Sequence, residues 1–167
     1  MKSPKGSWAV FGILLGLAVL FMLGTASELP PTVASHFDAA GYPSTFMPRA
    51  AYLRLVLGFG LGMPVAIVGI LTAAYSRARN LRLPNRDYWL APEHIGETRS
   101  FLVAHGIWFG SLLVLLVSFM HWLELKANHL APPHLSNEAF AVGMLMFLIG
   151  TAVWIGAMMV KFRRTGR

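Results

Sequence analysis

Four stretches of the chain are apolar around their whole helical circumference: about Ser7 to Ser27, Ala50 to Tyr75, Phe101 to Leu125 and Ala139 to Val160. A helix buried in a soluble bundle keeps a polar stripe that returns every three or four residues, and these stretches have none. Each is at least 21 residues long. Roughly 20 helical residues cross a ~30 Å hydrocarbon core. The pattern therefore predicts an all-α polytopic membrane protein, one four-helix domain over residues 1–167. An outer loop falls at 28–49 and an inner loop at 76–100.

Composition supports lipid as the solvent. Charged residues make up 13% of the chain, against roughly 25% in an average soluble domain, and mean hydropathy is +0.58. The absence of cysteine excludes disulfides, thiolate catalysis and Cys-based metal centres. A net charge of +7 and a pI near 10.4 would ordinarily suggest nucleic acid, but the bases are segregated by loop. Lys2, Lys5, Arg77, Arg79, Arg82, Arg86, Arg99, Lys161, Arg163, Arg164 and Arg167 share one side with Asp87, Glu93 and Glu97, giving +8. Arg49, Arg54 and Lys126 share the other with Glu28, Asp38, Glu124 and Glu138, giving −1. Positive residues stay inside, so both termini are expected to be cytoplasmic. The charge then serves contact with anionic headgroups, and nucleic acid is not an expected partner. The first span could be read as a cleaved secretory signal, but its apolar run from Trp8 to Leu23 is long for one, and retention is expected.

Helices in lipid associate by close packing through small residues. Gly12 with Gly16, Gly58 with Gly62 and Ala66, Gly106 with Gly110, and Gly143 with Gly150 provide such faces. They suit a bundle or a homo-oligomer. Pro64 is expected to bend span two, because it removes a backbone donor.

Polar groups at bilayer depth are costly and often mark function. No charge falls near the midplane of any span, which argues against a proton-driven pump or ion channel. Arg54 can reach outward. His105 and His121 lie on one helix ~24 Å apart, which does not suit axial haem ligation, and His105 is expected to bond a neighbouring carbonyl or Ser111. The outer side gathers His36, His121, His129 and His134 with Glu28, Asp38, Glu124 and Glu138. His121 and Glu124 share a helix face. Imidazole and carboxylate together suit Zn²⁺, with His36, His121 and Glu124 as the ligands such a site would use. The same groups equally suit an interfacial polar belt satisfied by water, Arg49 and Arg54, or a pH-sensing cluster. Phosphate-binding loops, a nucleophile elbow and HExxH are absent, so enzymatic activity is not expected.

In the outer loop, Pro30 and Pro31 end span one, Gly41 and Pro43 mark a turn, and Phe37, Tyr42 and Phe46 favour order at the headgroup level. In the inner loop, Tyr88, Trp89 and Leu90 suit the interface, Arg86 can pair with Asp87, and Pro92 with Glu93 and Glu97 fits a helix start.

Leu29-Pro30-Pro31, His36-Phe37 and Gly41 together resemble the motif of a bacterial multi-pass membrane domain-of-unknown-function family, related to the N-terminal part of SdpI-type immunity proteins. The segment from Pro84 to Glu93 resembles a stretch of its small four-span members. The resemblance implies a bacterial inner-membrane protein. Its SdpI-type relatives, which are longer, confer resistance to a secreted toxin and take part in signalling. Matching positions His36 and Gly41 outside and Asp87, Tyr88, Trp89 and Glu93 inside, with neighbouring Asp38, become candidates for binding a ligand or partner. The expected function is binding, immunity-like or regulatory, directed at a peptide, lipid or membrane-protein partner. A small transporter or accessory lined by Ser111, Ser118 and Thr151, a metal-binding protein, and an interfacial enzyme are the alternatives.

Overall fold

The computed structural model describes residues 4–77, 81 and 83–163. Lys2, Arg79, Arg82, Arg164 and Arg167, which enter the charge argument, lie outside the described residues. The elements are α1 (Lys5–Gly24), β1 (Thr32–Phe37), β2 (Pro43–Pro48), α2 (Arg49–Arg77), α3 (Arg86–Trp89), α4 (Ile95–Asn128) and α5 (Asn137–Arg163). Helices α1, α2, α4 and α5 are each long and apolar enough to cross a membrane. They contain the four expected spans, except that α1 ends at Gly24 and a 3₁₀ turn covers Ala26–Glu28.

Helix α4 is the hub. Half of its most apolar window is buried, against 17% in α1 and α2 and none in α5. The glycines explain how neighbours approach it. Gly110 faces Val68 of α2 and Phe11 of α1, Gly106 faces Leu71 and Tyr75, Gly143 of α5 receives the Phe119 ring, and Gly150 lies against Leu112. By contrast Gly12, Gly16, Gly58 and Gly62 have no neighbour that a Cβ would meet within 4 Å. The small-residue faces of spans three and four are therefore seams, whereas those pairs in spans one and two are not. In α2, residues Leu55–Leu61 widen into a π-helical stretch that ends three residues before Pro64, whose ring nitrogen cannot donate to the Gly60 carbonyl.

The outer loop contains strands, which the sequence did not suggest. β1 and β2 form an antiparallel hairpin pairing Thr32 with Pro48 and Ala34 with Phe46. Pro43 and Pro48 at the ends of β2 argue against a strand except at an edge, and β2 is an edge. Val33 and Ala34 are fully buried, and Val33 packs with Leu29, Tyr52 and Leu125. Ser35 is the bulged residue between paired Ala34 and His36, its hydroxyl donating to the Thr45 carbonyl at 3.3 Å. The free edge of β1 is closed by a side chain: Asn128 Oδ1 accepts from Ala34 N–H (2.8 Å), and its Nδ2 donates to Ala34 O (3.0 Å) and Glu124 O (2.8 Å).

At the opposite end, Asn85 adopts a left-handed conformation (φ 52°). Its Nδ2 donates to the Phe162 and Arg163 carbonyls, and Trp89 Nε1 donates to Phe162 O. These bonds satisfy orphan acceptors at the C-terminus of α5. Thr98 Oγ1 donates to Trp89 O at 2.8 Å, tying α3 to α4. The Ile95 N–H already bonds Ala91 O, so Pro92 and Glu93 occupy the first turn before the regular helix, close to the expected start.

Candidate ligand-binding site

Two polar systems meet where the hairpin packs on the helix ends. The first is buried between α1, α2 and α4. Thr25 Oγ1 donates to Phe21 O (2.8 Å), so the same oxygen accepts from Nε2–H of His121 (2.9 Å). In the neutral imidazole Nδ1 then accepts from the Tyr52 hydroxyl (2.8 Å). Tyr52 and His121 are each 1% exposed, their rings stack, and Phe21 meets the imidazole edge-on. A histidine near the end of an apolar run is thus held by partners from two other elements. Among the described residues no three His, Asp or Glu side chains are gathered as metal ligands, and both nitrogens of His121 carry hydrogen bonds within the protein.

The second system is a cleft of about 520 Å³ between the hairpin and the facing ends of α4 and α5. His36, Asp38, Asn137 and Glu124 supply its polar groups, and Phe37, Met120, Leu135 and Phe140 its apolar walls. Glu124 lies one turn beyond His121, beside the Tyr52 hydroxyl, and joins the two systems. His36 is exposed, with Nδ1 3.4 Å from Ser35 Oγ. Asp38 shapes the hairpin tip: its Oδ1 accepts from the amides of Ala40 and Tyr42, both at 2.9 Å. Gly41 takes φ +86° and donates its N–H to Asp38 O. Its carbonyl accepts from Leu135 N–H (2.9 Å), and a Cβ there would lie 2.5 Å from Leu135 O. Asn137 Nδ2 donates to Ala39 O, and Tyr42 meets the His134 ring edge-on. Gly41, Tyr42 and Asn137 therefore dock the tip onto the connection between α4 and α5, beside the cleft.

His36, Asp38 and Glu124 come together around this cleft, whereas Asp87, Tyr88, Trp89 and Glu93 lie at the other end of the molecule. There Trp89 is buried under Phe162, Tyr88 stacks on His94 at 4.2 Å, and Asp87 and Glu93 are exposed. Tyr88, Trp89, His94, Glu97 and Lys161 line a second cleft of about 790 Å³ with apolar residues of α5. Lys161 pairs with Glu97 and sits 4.6 Å from the Trp89 ring centroid.

Elsewhere the hydroxyls of Ser111, Ser118 and Thr151 each donate to the carbonyl four residues earlier. His105 stacks between Phe101 and Trp154, Ser111 donates to Ile107 O rather than meeting the imidazole, and the buried Nε2 of His105 has no hydrogen-bond partner among the described residues. Sequence reasoning missed Tyr52, Thr25, Asn128 and Asn137. A tyrosine three residues into an apolar run, and asparagines flanking the connection between spans three and four, were the signals available.

No family model, curated protein or solved structure matches this chain.

Proposed function

We propose that this is a bacterial inner-membrane protein that recognises a ligand in the cleft beneath its hairpin, in a sensing or immunity-like role, with the hairpin end facing outward and both termini in the cytoplasm. The observation that carries the reading is the cleft itself. A volume of about 520 Å³ falls within the usual range of small-ligand sites, and its few polar groups converge over apolar walls. The resemblance to the SdpI-related family adds the outward, protective direction, and the −1 charge of the hairpin side against +8 on the other supports the orientation.

A transport role is supported less well, because the span hydroxyls spend their donors within their own helices. A deletion strain challenged with secreted peptides, envelope stress and metals provides the test. Wild type restores the lost resistance or response. His36→Ala and the cleft-filling Ala39→Trp do not, although both reach the membrane at normal levels. Full complementation by both variants overturns the reading.

A further inference from the structure

Resting on that binding reading, we infer that the ligand class is an amphipathic cation, an ammonium group carried on an apolar body. The cleft presents two carboxyl groups, Asp38 and Glu124, and among the described residues no lysine or arginine lines it. Neither carboxyl pairs with a lysine or arginine among the described residues. Asp38 spends one oxygen on the turn amides, leaving the other for the cleft. Glu124 is half-buried beside Met120 and Phe140, whereas Asp38 is exposed, so a cationic partner gains more at Glu124 than at the hairpin tip.

The Phe37 and Phe140 rings add faces that attract a cation, and Met120 can adjust to the shape of an apolar tail. An anion would meet two carboxyl groups. A neutral apolar ligand would cover Glu124 and leave it the Tyr52 hydroxyl but no opposite charge, which is costly for a carboxylate. Charge and wall chemistry therefore select the same class of molecule.

The test compares 4-phenylbutylammonium with 4-phenylbutan-1-ol, its neutral counterpart of the same shape. Binding is measured calorimetrically on the full chain in nanodiscs, with empty nanodiscs subtracted. The ammonium is expected to bind about tenfold or more tighter than the alcohol. Glu124→Gln should remove that advantage while leaving alcohol binding unchanged. Asp38→Asn, which keeps an acceptor for the turn amides, should reduce the advantage in part and serves if the glutamine variant fails to fold. Equal binding of the two probes overturns the cation assignment and leaves the cleft reading standing. A preference that survives both substitutions also overturns it, and absence of binding by either probe sinks both readings.

Discussion

Tyr52 and His121 share a hydrogen bond from which water is excluded, so removing one partner leaves the other without a replacement. Tyr52→Phe retains the ring and its packing while stripping Nδ1 of its donor. The expected loss is about 1–2 kcal/mol, read from reversible unfolding in mixed micelles. Gly41 poses a different problem, because both its backbone conformation and its surroundings reject a side chain. Gly41→Ala is expected to cost about 1–3 kcal/mol and to undock the hairpin tip. Limited proteolysis should then cut between residues 38 and 43 faster than in wild type. A cleavage pattern identical to wild type would contradict the docking role assigned to this glycine.

The long helices were legible because hydrophobicity around a full circumference depends on residue type alone. The hairpin was not, because its signals conflict. Two prolines discourage β2, and three consecutive buried residues, Val33 to Ser35, replace the alternation expected of a strand. Its edge is satisfied by Asn128, which lies 94 residues away and is invisible to any local pattern. Asn128→Ala should therefore speed hydrogen exchange at the Ala34 amide by at least an order of magnitude, while amides in the middle of α4 stay protected. Glycine spacing was only half informative, since four-residue pairs occur both in seams and on open faces. Gly110→Ala drives a methyl group into Val68 and is expected to lower the melting temperature. Gly12→Ala meets no neighbour, and the gain in helix propensity leaves stability unchanged or raised by up to about 1 kcal/mol.

At the scale of the whole molecule, the expected site divided in two. His36, Asp38 and Glu124 converge because the hairpin folds back over α4, a long-range event that spacing could not supply. The inner motif instead closes the end of α5 through Asn85 and Trp89. Membrane sidedness can be tested directly, because the chain has no cysteine of its own. An impermeant thiol reagent added to intact cells should modify Ala40→Cys and spare Glu93→Cys until the membrane is permeabilised. The reverse labelling would invert the orientation and move the cleft to the cytoplasm.

The central position of α4 also bears on biogenesis. On the proposed membrane placement, the first two hydrophobic segments leave the ribosome before the surface that holds them exists, and would wait in lipid with few mutual contacts until residues 95–128 have been made. A chain truncated after residue 90 should remain a loose pair open to quality-control proteases, and supplying the second half in trans should rescue it.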